Sequence, residues 1–155
     1  MSELIDMQQV VEELGKRPRG RACFVFTQDR PGRHQWAERL AEITGMQHLN
    51  LMKLFADDKN LGGDVSSFDI ATCFKLLAGY NQTSVLIVSG IEFLKATWTA
   101  QINSVEQLAT MVEMWDRKPA ILMVMQYDKA LAEKKYSRHP QLRMVINQAE
   151  TKAIT

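Results

Sequence analysis

The 155-residue sequence has only two cysteines, four prolines and three histidines, and no sustained apolar stretch. Cys23 and Cys73 each stand inside an apolar run, with no Cys-x-x-Cys pair, so a disulfide scaffold is excluded and both read as buried thiols in a reducing compartment. His34, His48 and His139 are too scattered for a zinc-ligand spacing, and no metal site is expected. The longest apolar runs, around Val85 to Val88 and Ala120 to Met125, fall far short of the ~20 residues a membrane span needs. Met1 to Gln9 carries Glu3 and Asp6 and resembles neither a secretory signal nor a transit peptide, so a cytoplasmic location is expected. An excess of one charge is also missing: 19 Lys+Arg against 18 Asp+Glu leave +1, which argues against a strongly basic nucleic-acid domain or an acidic tail. There is no Gly-x-Ser-x-Gly elbow and no paired Cys/His nucleophile, so no catalytic residue is assigned.

What is present is a compact α/β pattern. With 46% apolar residues, a chain of this length buries enough surface to fold as one domain, 1–155. Leu4, Met7, Val10, Val11 and Leu14 fall at helical spacing and predict an opening helix within 1–17. Ala22 to Phe26 then reads as a strand buried on both faces, followed by a helix from about Arg33 to Ile43 that Gly45 stops. His48 to Met52 reads as a second strand entering a polar loop, Asp57 to Asp64, and the next helix is placed from Ser66 or Ser67 to Gly79. Ser84 to Val88 and Ala120 to Met125 are further buried strands, with one or two helices over Glu92 to Trp115 between them. The core therefore spans 21–128. The tail, 129–155, is charged and less regular, with an edge strand expected at Met144 to Ile146. Such alternation predicts a mostly parallel sheet with helices on both faces.

In such a sheet the turn after the first strand is where ligand chemistry is sought. Here it reads Thr27-Gln28-Asp29-Arg30-Pro31-Gly32-Arg33-His34. Against the phosphate-loop pattern G-x-x-x-x-G-K-[ST], the spacing and second glycine match, while Thr27, Arg33 and His34 replace the first glycine, the lysine and the hydroxyl residue. Thr27 brings a Cβ where close backbone approach is needed. Arg33 keeps the charge in a different shape. His34 offers imidazole where magnesium prefers oxygen, and Asp29 adds negative charge where phosphates would sit. The strand Val85 to Val88 ends in Ser89 rather than an acid, and Glu92 substitutes only if the chain turns it back toward the loop; otherwise it is a helix-starting glutamate. Gln126, followed by Asp128, stands where a terminal-phosphate sensor would be. The candidate nucleotide set is thus Arg30, Gly32, Arg33, His34, Ser89, Glu92 and Gln126. Efficient ATP hydrolysis is not expected from it. No cofactor is called for, ATP with magnesium being the one the frame would take.

The segments RACFVFTQDRPGRHQWAERLAEITG, HLNLMKLF, SVLIVSGIEFL and PAILMVMQYD resemble, over Arg21 to Asp128, a P-loop NTPase core of the RecA/AAA type with its catalytic signatures eroded. Within it the chain is most similar to the BrxF family, the small P-loop proteins of type-three BREX phage-defence systems, through its size, its opening helix, GIEFL, and the tail YSRHPQLRMV with Tyr136, His139 and Pro140. Members usually carry an intact phosphate loop and an acid ending the third strand, from which Thr27, Arg33, His34 and Ser89 depart. The resemblance implies a three-layer core without a lid domain, since about 27 residues follow Asp128. It also implies an accessory or regulatory subunit that works through other protein subunits of an antiviral complex. A second resemblance is to SulA-type cell-division inhibitors, which are RecA-like without a working phosphate loop and act on a partner protein.

Two rival functions stand beside this one: a weak or unconventional NTPase using Arg33 and Glu92, and a DNA-binding module. The second would use Lys16, Arg17, Arg19 and Arg21 together with Lys134, Lys135 and Arg138, joined by Arg143, and gains weight if both stretches share one face. Otherwise these charges are solvated connectors. An exposed Trp98 or Trp115 would mark a protein partner. Other protein subunits, DNA and a second copy of the chain are the partners these readings allow, and a membrane is not among them.

Overall fold

The computed structural model describes residues 3–28, 32–58, 68–98 and 103–154. Asp6 caps helix α1 (Met7–Lys16) by accepting the Gln8 N–H at 3.0 Å, and Met7, Val11 and Leu14 form its buried stripe. Strand β1 (Ala22–Thr27) is buried at every residue, as a strand covered on both faces must be. Helix α2 (Arg33–Thr44) starts behind Gly32 and ends at Gly45, whose φ of 72° forms the left-handed stop expected there.

Strand β2 is shorter than expected, Gln47–Asn50, because the Asn50 side chain accepts the Lys53 N–H and caps an unforeseen helix α3 (Leu51–Asp57). Helix α4 (Ile70–Ala78) begins behind Asp69, which caps the Thr72 N–H at 2.8 Å. Ser66, Ser67 and most of the polar loop lie outside the described residues. Then follow β3 (Val85–Ser89), α5 (Glu92–Trp98), α6 (Ser104–Glu113) and β4 (Ala120–Gln126). The tail is more regular than its composition suggests: Asp128 caps a short helix α7 (Lys129–Glu133), and β5 is Val145–Asn147. A short 3-10 turn, Gln148–Glu150, follows, and backbone bonds between Ile5 and Glu150 and between Lys152 and Ile5 tie the two ends of the chain together.

Among the described residues the five strands form one sheet in the order β2-β3-β4-β1-β5, and every pairing is parallel. One face is covered by α1 and α2 through Leu14, Leu40 and Ala41; the other by α3 to α7 through Phe55, Phe74, Leu94, Leu108 and Leu131. Cys23 and Cys73 are buried and free, and burial pushes both thiols up to about 12, so both behave as inert packing. No helix among the described residues is long and apolar enough to cross a membrane.

One consequence of this topology positions the site. The chain leaves β1 toward α2 on one face and leaves the neighbouring β4 toward α7 on the other. Adjacent parallel strands whose connections part to opposite faces open a crevice at their carboxyl ends, here between Thr27 and its register partner Gln126.

Candidate functional site

Six of the seven expected nucleotide-site residues gather at these carboxyl ends: Gly32, Arg33 and His34 at the start of α2, Ser89 ending β3, Glu92 opening α5 and Gln126 ending β4. Arg30, with Asp29, lies outside the described residues. A cavity of about 340 Å³ opens beside Thr27, Gly32, Arg33, Trp36 and Gln148. A second, of about 590 Å³, continues past Thr27 toward Gln126, Tyr127 and Asn147.

Two interaction sets close the crevice on its β3 side. In the first, Glu92 turns back toward the loop: its Oε2 lies 3.3 Å from Arg33 Nη1 and accepts the Gln126 backbone N–H at 2.7 Å. One carboxylate thereby joins the helices of both faces to the end of β4. Arg33 Nη1 is enclosed and meets Glu92 as an ion contact without hydrogen-bond alignment.

In the second, the buried Ser89 hydroxyl stands between two imidazoles, 2.9 Å from His34 Nδ1 and 2.7 Å from His48 Nε2. A hydroxyl has one proton, so Ser89 donates to one ring nitrogen and accepts from the N–H of the other. Parallel pairing of β2 with β3, with Asn50 opposite Ser89, brings His48 within reach. The next residue, Gly90, has φ 82°, and a Cβ there would lie 2.7 Å from Asn50 Oδ1 and 2.8 Å from the Met52 nitrogen. Asp128, beyond β4, is ion-paired with Lys95 and caps α7; burial raises its carboxyl, but the Lys95 and Leu131 hydrogen bonds outweigh this and hold it below the ordinary aspartate value.

His48 and Asn50 are the participants that sequence reasoning missed. Both sit in a strand read only as a strand, and their role follows from β2 lying beside β3, which no local pattern encodes.

Chemically the arrangement is self-satisfied. Magnesium takes hard oxygen ligands in near-octahedral geometry. Here the Ser89 oxygen is engaged by two imidazoles and the Glu92 carboxylate by Arg33 and a backbone N–H, so these residues do not fit that ion. Ser89 is fully buried and presents no nucleophile to a substrate from solvent.

His48 makes the fold sensitive to acid. Burial lowers the His48 pKa; Glu38 opposes this and His34 reinforces it. The unfolded chain therefore takes up the proton first as pH falls. The His48 contribution to stability is complete above about pH 6.5 and is lost as pH drops through its lowered folded value. Urea unfolding at pH 7.5 and pH 5.5 is expected to give a lower midpoint at pH 5.5, with a smaller difference in His48→Gln.

The basic residues lie elsewhere. Arg17 is buried and gives its guanidinium to Glu13 and to the carbonyls of Gly20 and Arg143. Arg21 donates to the carbonyls of Gly15 and Arg117, and Lys16 pairs with Glu12. Arg19, Lys135 and Arg138 are exposed, while Lys134 is half-buried behind α7. Trp98 and Trp115 are both buried, so neither offers the exposed indole that would mark a partner surface.

No protein-family model matches the chain, and no curated protein matches it.

Proposed function

We propose that the chain is a P-loop-type subunit of the RecA/AAA kind with impaired nucleotide chemistry, acting through protein partners in a BREX-like antiviral complex. The observation that carries this reading is the 2.9 Å contact between His34 Nδ1 and Ser89 Oγ. In the resemblance these two positions belong to the hydroxyl that ligates magnesium and the acid that holds the ion through water. Here the two positions meet in space, as that frame requires, yet they contribute an imidazole and a hydroxyl bonded to each other. The strand order supports the same frame. It has β1 between β4 and β5, unlike the dinucleotide-binding order 3-2-1-4-5-6 or the flavodoxin order 2-1-3-4-5. A core with this frame and without its ion chemistry is suited to holding a protein partner rather than to nucleotide turnover.

The weak-NTPase reading is favoured by one observation of its own: Arg33 Nη1 is enclosed without a hydrogen bond beside the start of α2, where no side chain caps the helix. A helix start of this kind favours an anion. The two readings part on one experiment. With ATP and magnesium, phosphate release is expected to stay at the buffer level; sustained release that Arg33→Ala abolishes would establish the NTPase instead.

A further inference from the structure

The amino ends of the strands, opposite the crevice, carry a feature that a net charge of +1 conceals. Because all pairings are parallel, the connections entering β4, β1 and β5 emerge side by side along one edge. Each is basic: Lys16 and Arg19 before β1, Arg117 and Lys118 before β4, Arg138 and Arg143 before β5. All six side chains are exposed. The three connections are joined into one surface. The Arg21 N–H donates to the Trp115 carbonyl at 2.7 Å, Arg17 reaches the Arg143 carbonyl at 3.2 Å, and Gly20 packs so closely that a Cβ would lie 2.7 Å from Leu142 and 2.9 Å from His139.

Acidic groups do not cancel this edge. Lys16 is paired with Glu12, but the other five cations form no ion pair with a described residue. The acids at these connections are Glu13, held by Arg17, Glu113, which accepts the Arg138 backbone N–H, Asp116, and Glu133 at the end of α7.

We infer that this edge is a docking surface for the phosphate backbone of double-stranded DNA, read by charge and not by sequence. Three neighbouring strand ends span about 10 Å, and duplex DNA presents one negative charge per ~1.7 Å of axis. Guanidinium groups, four of the five unpaired cations, match phosphate geometry bidentately. Single-strand binding needs aromatic platforms. No aromatic is exposed at this edge among the described residues: Trp115 is buried, and Tyr136 is occupied by Phe24 and the Leu131 carbonyl. An anionic membrane calls for a broad apolar face, and Met114 is the one large apolar side chain exposed near this edge among the described residues. The inference is independent of what the crevice binds.

The test is fluorescence anisotropy of a labelled 20-base-pair duplex with the full chain over a salt series. Wild type is expected to bind with log K falling against log salt at a slope of about −3 to −4, as for about four neutralised phosphates. The triple variant Arg19→Ser/Arg138→Ser/Arg143→Ser is expected to bind at least tenfold more weakly with a shallower slope, while Lys53→Ser, an exposed cation on α3 at the other end of the sheet, binds as wild type. The triple variant changes only exposed side chains, and its unfolding midpoint checks that it folds. The inference is overturned if wild type does not bind at low salt, or if the triple variant binds equally. It is equally overturned if single-stranded DNA or phosphatidylserine vesicles bind more tightly than the duplex at the same salt.

Discussion

Replacing Gly90 with alanine is expected to lower the thermal midpoint by roughly 5–15 °C, far more than one added methyl group usually does. Two costs combine. Gly90 has φ 82°, a conformation that costs an L-residue about 1–2 kcal/mol. The new Cβ would also stand 2.8 Å from the Met52 backbone nitrogen and 2.7 Å from Asn50 Oδ1, and forcing atoms into a packed site costs about 1–3 kcal/mol more. The backbone nitrogen belongs to α3 and cannot rotate away, and Asn50 is bound to its capping role. For a chain of this size each kcal/mol moves the midpoint by about 2–4 °C. Gly45→Ala is the matched control: φ is 72°, but no atom lies within 4 Å of the added Cβ, so it pays the conformational cost alone. Equal effects from the two variants would show that the junction of β3, β2 and α3 is loosely packed.

Trp98→Ala is the second large effect. The indole is 1% exposed, in the core formed by α3 to α7, and its Nε1 donates to the Phe68 carbonyl at 2.7 Å. Truncating a buried aromatic of this size costs about 3–5 kcal/mol, which urea unfolding reads as a lower midpoint at an unchanged slope. Trp98→Phe keeps most of the apolar volume and leaves the carbonyl unpaired, so it is expected to cost about 1–3 kcal/mol. An exposed partner-binding tryptophan would give the opposite pattern, with little loss of stability in either variant.

The elements legible in the sequence are those whose determinants are local. The buried strands β1, β3 and β4 are continuous apolar runs, and α1 and α2 carry their stops at Lys16 and Gly45 within a few residues of where they were expected. Helices α3 and α7 were missed because each depends on a single cap, Asn50 or Asp128, in a segment whose composition reads as strand or tail. The crevice was legible in part. The loop's spacing pointed to Gly32, Arg33 and His34, and strand ends to Ser89 and Gln126. Whether Glu92 turned back, and that His48 lay beside Ser89, depended on sheet order and register. The basic stretches show the same division. Their charges are plain in the sequence, but only packing assigns Arg17 and Arg21 to internal carbonyls and brings Arg117, Lys118 and Arg143 alongside Arg19 and Arg138.

The proposed phosphate-loop frame without its ion chemistry is put to the test by titrating the wild-type protein with MgATP while following thermal unfolding. A ligand that binds only the folded state at 100 times its Kd adds about 2.7 kcal/mol, roughly 5–10 °C here. No saturable rise is expected, with or without magnesium. A magnesium-dependent, saturating rise of that size, absent in Arg33→Ala, would contradict it.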